Sequence, residues 1–157
     1  MTSGDVDDVL DVQQPGAVRS LSEVFPQDQY PFPREDVAEQ WRREIADPGV
    51  SCYVVVADSK IAGFAATRGD EFLHFGIATD RWGSGLATSA HDDVLARLSN
   101  EGHERTWLKV FTENRRGRCF YEKLGWRAVG ERMRSAFPPH PELLRYERAV
   151  RSVESAK

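Results

Sequence analysis

IATDRWGSGLA, residues 77–87, is the most informative segment of this chain. A strand-like apolar run precedes it, and the apolar residues after it repeat with helical spacing. Gly83 and Gly85 allow the backbone to approach a ligand closely, and the unpaired N–H groups at a helix start attract anions. The segment therefore predicts a strand, a glycine-rich turn and a helix whose N-terminus binds a diphosphate. A turn that serves packing alone is the alternative.

The residues before this segment predict helices followed by antiparallel strands. Helical spacing covers Ala17–Phe25 and Arg34–Ala46, and Asp47-Pro48-Gly49 ends the second helix. Residues 1–15 are expected to be a loose terminus with a short edge strand near Val9–Val12. Valine-rich and aromatic runs predict three strands in hairpin order. These strands cover Cys52–Ala57, Ile61–Thr67 and Glu71–Ala78.

The residues after the glycine-rich turn alternate between helix and strand patterns. A helix is predicted to end near Asn100-Glu101-Gly102, and another covers Asn114–Leu124. The predicted strands are Thr106–Phe111, Trp126–Arg132 and Leu143–Val150. Strands followed by alternating β and α elements indicate an α/β (α+β) domain over residues 1–157, with a mixed, mostly antiparallel sheet flanked by helices.

Composition limits the classes of function. The 157 residues are 40% hydrophobic and 29% charged, as in one folded domain, and the net charge of -4 argues against nucleic acid as a partner. No apolar run is long enough for a membrane span or a secretion signal, so a cytoplasmic protein without membrane contact is expected. Neither cysteine has metal-ligand spacing, and no metal is expected. The sequence leaves a homodimer open.

Two motifs resemble those of the GNAT family of N-acetyltransferases. Residues 82–87 resemble the family's acetyl-CoA loop, Q/R-x-x-G-x-G/A, with Trp82 in the first position. A second segment resembles N-x-x-A-x-x-F-Y-x-x-x-G, and its matching residues are Asn114, Gly117 (in the alanine position), Phe120, Tyr121 and Gly125. The resemblance implies the GNAT acyl-CoA N-acyltransferase fold and transfer of acetyl from acetyl-CoA to a primary amine of a small molecule or peptide. A non-catalytic acyl-CoA-binding regulator of the same fold is the alternative.

The resemblance also implies which residues bind acetyl-CoA as the co-substrate. The backbone of Phe75, Gly76 and Ile77 would pair with the pantetheine arm like an added strand, and Asn114 would hydrogen-bond that arm. The pyrophosphate would be held by Gly83, Ser84, Gly85, Leu86, Ala87 and Thr88. The nearby arginines Arg115, Arg116 and Arg118 are either a solvated helix face or ligands of the 3'-phosphate of CoA.

Three residues are candidates for the chemistry. By the resemblance Tyr121 lies near the thioester sulfur and protonates the departing thiolate, although the sequence alone favours a core aromatic beside Phe120. Glu71 is the leading candidate for the base. His74, on the opposite face by strand alternation, competes with it. A solvated turn residue and a half-buried strand histidine are the plain alternatives for the two, and a water chain is also open. Lys109 occupies the position where some family members carry a glutamate base.

Overall fold

The computed structural model describes residues 1–150, and residues 151–157, the end of the predicted domain, lie outside this range. The helices are α1 (Val6–Ser20), α2 (Arg34–Ala46), α3 (Leu86–Asn100) and α4 (Arg115–Lys123). The strands are β1 (Val50–Ala57), β2 (Lys60–Arg68), β3 (Glu71–Ile77), β4 (Arg105–Phe111), β5 (Arg127–Arg134) and β6 (Glu142–Ala149). They form one sheet in the order β1-β2-β3-β4-β6-β5. The predicted mixed, mostly antiparallel sheet flanked by helices is confirmed.

The centre of the sheet opens between β3 and β4. These neighbours are parallel, and their registered pairing is limited to Glu71 and Trp107 near their N-terminal ends. Both strands then continue, but β3 pairs only with β2 and β4 only with β6. The two strands therefore leave a V-shaped cleft that widens toward their C-terminal ends. The glycine-rich turn follows β3 after a short 3-10 helix, Thr79–Arg81, and lies at the mouth of this cleft.

Each face of the sheet carries its own apolar core. On the face that we call the α1–α2 face, the buried residues are Val6, Val9, Leu10, Val37, Ala38, Trp41, Val50, Phe64 and Ala66. On the opposite α3–α4 face they are Ala65, Phe72, Val94, Leu95, Leu98, Leu108, Val110, Trp126, Leu144, Tyr146 and Val150. Because strand residues alternate between faces outside the β-bulges, these two sets indicate the face to which the remaining strand side chains point.

The expected loose N-terminus is wrong, as is the expected edge strand near Val9–Val12. Helix α1 begins at Val6 and ends at Ser20, so it starts well before the predicted Ala17–Phe25 helix and stops short of its end. Pro15 and Gly16, inside this helix, are poor residues for a helix interior. Burying Val6, Val9 and Leu10 stabilises the helix by about 1.5–3 kcal/mol for each side chain, which outweighs that local cost.

Elsewhere the predicted elements are confirmed. Helix α2 has the predicted bounds, and α3 begins directly after Gly85. The predicted strands differ from the observed ones by one or two residues at their ends, as is usual for such boundaries. Among residues 1–150 no helix combines the length and apolar character needed to cross a bilayer.

Candidate active site

The glycine-rich turn adopts a conformation that requires its glycines. Gly83 and Gly85 have φ values of 81° and 91°, in the left-handed region that residues with a Cβ rarely occupy. A Cβ at either position would meet no atom within 4 Å, so the backbone dihedrals and not crowding demand glycine here. Both residues are exposed. The turn therefore presents its backbone to solvent at the start of α3.

Several amides of this turn are free to bind an anion. Ser84 donates its N–H to Arg81 O at 3.2 Å, and Leu86 N–H makes a long contact of 3.3 Å with Ser84 Oγ. Ser89 N–H closes the first helical turn onto Gly85 O. Within residues 1–150 no acceptor is assigned to four other amides, which belong to Gly83, Gly85, Ala87 and Thr88. Together with the positive end of the α3 dipole, these donors fit a diphosphate.

Trp82 attaches the turn to the rest of the protein. Its Nε1–H donates to Ile77 O at 2.9 Å, which ties the turn to the last residue of β3. The guanidinium of Arg116 lies 3.8 Å from the centre of the indole ring, and that of Arg19 lies 5.0 Å from it. The indole therefore joins β3, α1 and α4 at one point. The sequence motif gave Trp82 no role, because both arginines come from distant parts of the chain.

The open edge of β3 can pair with an extended ligand at some positions and not at others. Ala78 N–H donates to Ala62 O, and hydrogen-bonded pairs recur every second residue of an antiparallel ladder. Gly76 is therefore hydrogen-bonded to Phe64 of β2, whereas the backbone groups of Phe75 and Ile77 point into the cleft. The expected pairing of Gly76 with a pantetheine arm is wrong for this reason. Gly76 is needed instead because a Cβ would lie 2.3 Å from the Phe64 ring.

A β-bulge brings both candidate bases to the same face of the sheet. In the β2–β3 ladder Ala66 pairs with His74 and Thr67 pairs with Phe72, which leaves Leu73 as the extra residue. Ala66 belongs to the core of the α1–α2 face, so His74 points to that face. The expectation that Glu71 and His74 lie on opposite faces is therefore wrong. Simple alternation fails because the bulge shifts the pattern by one residue.

Glu71 lies at the closed end of the cleft. Its register partner is Arg68, and Arg68 Nη2 donates to Glu71 Oε1 at 3.1 Å. Lys109 Nζ, from β4, lies 3.9 Å from the other oxygen, Oε2. The Glu71 side chain is only 4% exposed, and Oε2 has no hydrogen-bond partner among the residues described. A buried carboxylate oxygen without a donor has the capacity to accept a hydrogen bond from an amine.

His74 is held by a residue that the sequence analysis did not identify. Its Nε2 lies 2.8 Å from Oε1 of Glu44 in the last turns of α2, and the Trp41 ring packs against its imidazole with 5.0 Å between the ring centres. Glu44 precedes His74 by thirty residues in the chain. No local pattern connects them, so only the packing of α2 on the sheet brings them together.

Tyr121 belongs to the opposite, α3–α4 face. Its ring packs edge-on against Phe120 and Trp126, with ring centres 5.2 Å and 5.8 Å away, and Phe120 in turn stacks on Phe75 of β3. Burial raises the pKa of the Tyr121 hydroxyl well above its ordinary value, so the phenol stays protonated at neutral pH. The predicted core packing and the predicted catalytic position are thus compatible.

Asn114 and Arg118 have structural partners at the start of α4. Asn114 Oδ1 accepts the N–H of Gly117 at 2.9 Å and caps the helix. A Cβ at Gly117 would lie 2.5 Å from Asn114 Nδ2, which explains glycine in the motif's alanine position. Arg118 donates to Tyr146 Oη and to Thr112 O. The sequence analysis offered a solvated helix face as one alternative for Arg118. These two hydrogen bonds show that the Arg118 side chain is not simply solvated.

Aromatic residues from distant segments meet on the α1–α2 face near the cleft. Phe25, which follows α1, packs edge-on against Phe111 at the end of β4, with 5.4 Å between ring centres. Phe137, from the connection between β5 and β6, packs on the same core. Segments 21–33 and 135–141 thereby reach the α1–α2 face of the sheet through Phe25 and Phe137. An acceptor could approach the cleft from this side.

Comparison with known proteins agrees with this geometry. The chain matches the model of the acetyltransferase (GNAT) family over residues 17–126, which is more than half of its length. It belongs to the GNAT family. An uncharacterized N-acetyltransferase of Mycobacterium bovis is 31% identical over 93 residues, a match that covers 56% of this chain and 60% of the relative. The chain thus spans less than two thirds of that protein.

Solved structures share the fold at low sequence identity. The PaiA N-acetyltransferase of Thermoplasma acidophilum, in complex with coenzyme A, superposes with a TM-score of 0.72 at 14% identity and 95% coverage of both chains. The ribosomal-protein-S18-alanine N-acetyltransferase of Escherichia coli gives a TM-score of 0.70 at 16% identity, covering 97% of this chain and 92% of its own. Identities this low show the fold alone.

Proposed function

We propose that this protein transfers the acetyl group of acetyl-CoA to a primary amine. The observation that supports it best is the set of free amides of Gly83, Gly85, Ala87 and Thr88 at the mouth of the cleft between β3 and β4. A ligand with a diphosphate at one end and a strand-like amide chain at the other fits both features. Acetyl-CoA has this construction and supplies the activated acetyl group.

The binding residues follow from the backbone geometry. The free amides of Gly83, Gly85, Ala87 and Thr88 hold the diphosphate, whereas Ser84 N–H is already used within the turn. Phe75 offers its N–H and C=O to the pantetheine amides, whereas Ile77 offers only its N–H because its carbonyl accepts from Trp82. Asn114 uses its side-chain oxygen as a helix cap and keeps its amide Nδ2 for the ligand.

The chemical groups lie on opposite faces of the sheet. Tyr121, on the α3–α4 face, donates its proton to the departing sulfur. Glu71 and His74, on the α1–α2 face, receive the amine, and one of them removes its proton. The unpartnered Glu71 Oε2 accepts a hydrogen bond from the amine and orients it toward the thioester carbonyl. Acid and base thus approach the thioester from opposite faces of the sheet.

The acceptor is proposed to be a cationic amine. The net charge of -4 favours attraction of positively charged molecules. The name of the structural relative from Escherichia coli gives an alanine of a ribosomal protein as its acceptor. A peptide with an N-terminal alanine is therefore a second candidate acceptor for this chain. A panel for activity therefore includes a polyamine, an aminoglycoside and an alanyl peptide.

The proposal is tested by two measurements on the same preparation. Isothermal titration with acetyl-CoA measures binding, and thiol release with the amine panel measures turnover. We expect binding and an amine-dependent rate. Absence of binding contradicts the proposal altogether. Binding without acceleration by any amine favours the non-catalytic acyl-CoA-binding regulator.

Location and oligomeric state stay predictions. Cys52 and Cys119 are both free thiols, which supports the proposed cytoplasmic location because thiols stay reduced there. Strand β5 forms one edge of the sheet and exposes Val129, so it is the first place to look for a homodimer contact.

A further inference from the structure

The contact between Glu44 and His74 fixes the orientation of the imidazole. The two atoms that meet, Glu44 Oε1 and His74 Nε2, are 2.8 Å apart, and the side chains are only 12% and 24% exposed. The Trp41 ring packs against the imidazole, and the bulge at Leu73 fixes the backbone from which it projects. The imidazole is therefore constrained by α2, by β3 and by a hydrogen bond.

This contact also determines which ring nitrogen is available. Burial raises the pKa of Glu44, but hydrogen bonds from His74 and Gln40 and the charge of Arg68 act against burial, and the net pKa is lowered. Glu44 is thus an ionised carboxylate at neutral pH and accepts hydrogen bonds only. Nε2 of neutral His74 must carry the hydrogen, which leaves the Nδ1 lone pair free. Nδ1 has no assigned partner within residues 1–150.

The position of His74 suits proton removal from an incoming amine. It directly precedes Phe75, whose backbone groups line the cleft, and it projects to the acceptor side of the sheet. The charged groups around this point come from each neighbouring element. They are Glu44 of α2, Arg68 of β2, Glu71 of β3 and Lys109 of β4, with the Cys52 thiol of β1 near Glu44.

We propose that Glu44 is a positioning residue that holds His74 with Nδ1 ready to take the amine proton. This inference rests on the proposed function and deepens it. The nitrogen of the neutral amine uses its lone pair to form a bond to the acetyl carbon, the carbon–sulfur bond breaks, and the sulfur takes the Tyr121 proton. His74 Nδ1 takes one proton from the nitrogen and later releases it to solvent, from which Tyr121 is reprotonated. The products are the acetamide and CoA thiol.

The test compares variants with the best amine of the panel. Glu44→Ala should lower kcat about 10- to 100-fold with the KM for acetyl-CoA within about twofold, because orientation of a base is lost while the cofactor site is intact. Glu44→Gln should retain part of the rate, since its amide oxygen still accepts from Nε2. Glu39→Ala is the matched control, an exposed glutamate of the same helix paired only with Arg43. Thermal melts check that each variant is folded.

A double-mutant cycle distinguishes positioning from a structural effect. If Glu44 acts through His74, then adding Glu44→Ala to His74→Asn should cause no further loss of kcat. The proposal is overturned if the two losses multiply, or if Glu44→Ala behaves like Glu39→Ala in an active enzyme. Either result leaves acetyl transfer itself established.

Imidazole nitrogen shifts in the free protein test the same geometry without any acceptor. The wild type should show the Nε2–H tautomer of His74, and Glu44→Ala should show a mixture, with His74→Asn identifying the signal. If no amine on the panel is acetylated, the proposed function fails. The spectrum then remains the test of whether Glu44 positions the His74 imidazole. The Nε2–H form in the wild type and its loss in Glu44→Ala support the positioning role, whereas the Nδ1–H form in the wild type overturns it.

Discussion

Tyr121 and His91 are aromatic side chains on the same face of the sheet, and burial affects their protons in opposite ways. Burial raises the pKa of the Tyr121 phenol, which therefore keeps its proton, and lowers the pKa of the His91 imidazole, which therefore remains neutral. Tyr121 packs against Phe120 and Trp126, whereas His91 accepts the Trp126 Nε1–H at 2.9 Å inside the core. The Tyr121 proton is the one proposed for the chemistry, whereas the His91 proton affects stability.

Replacing Tyr121 with phenylalanine removes the proposed acid and keeps the packing. Tyr121→Phe should lower kcat about 100-fold or more, with the Kd for acetyl-CoA within about twofold, as expected for loss of general acid catalysis. Steady-state rates and calorimetry measure the two quantities. Tyr53→Phe is the control, because Tyr53 packs at the edge of the same core from β1. An unchanged kcat would remove Tyr121 from the acid role.

His91 should make stability depend on pH. Because the pKa of folded His91 is lowered below about 6.5, the unfolded chain binds a proton that the folded chain does not. Its contribution is complete above that pH and is lost as the pH falls toward the folded value, at no more than about 1.4 kcal/mol per pH unit. Urea unfolding between pH 7.5 and 5 should therefore give a flatter profile for His91→Gln. His103→Gln should keep the wild-type slope, and parallel profiles for His91→Gln and wild type would refute this role.

At the scale of elements, the strand–turn–helix unit of β3 and α3 depends on Trp82. The indole N–H and two guanidinium contacts hold the turn in the shape that exposes its amides. One hydrogen bond and two cation–π contacts are together worth about 1–3 kcal/mol. These contacts keep the turn ordered before a ligand arrives. The free-energy cost of ordering the turn is therefore not subtracted from the binding free energy.

Removing the indole should weaken CoA binding without unfolding the protein. Trp82→Leu should raise the Kd for CoA about tenfold, which corresponds to about 1.4 kcal/mol. Trp107→Leu is a matched control, since Trp107 also donates its indole N–H, to Asp70, and also lies beneath a guanidinium, that of Arg145. Calorimetry compares the two variants. Equal affinities for both would show that the turn does not depend on Trp82.

Elements with strong local signals were predictable from the sequence, and those set by packing were not. Helix α2 has a proline at its start and Asp-Pro-Gly at its end, so its bounds follow from the residues themselves. The first half of α1 is specified by burial of its apolar side chains against the sheet. This burial outweighs the low helix propensity of Pro15 and Gly16. The bulge at Leu73 has no local sequence signal, and it reversed the expected relation between Glu71 and His74.

At the scale of the whole molecule, the site is assembled from segments far apart in the chain. The motifs identified the turn and α4, because the conformations of these two elements depend on backbone groups that are close in the sequence. They did not identify Glu44, Phe25 or Phe137, which reach the α1–α2 face only after α1 and α2 pack on the sheet. The sequence therefore indicates the cofactor side of the site much better than the acceptor side.

Binding of the CoA diphosphate by the turn amides is tested most directly by amide hydrogen exchange followed by NMR. In the free protein the N–H groups of Gly83, Gly85, Ala87 and Thr88 should exchange rapidly, because no acceptor protects them. Saturating CoA should slow their exchange at least tenfold and leave that of Gly130, a glycine of β5, unchanged. Rapid exchange of the four amides in the presence of saturating CoA would contradict the account.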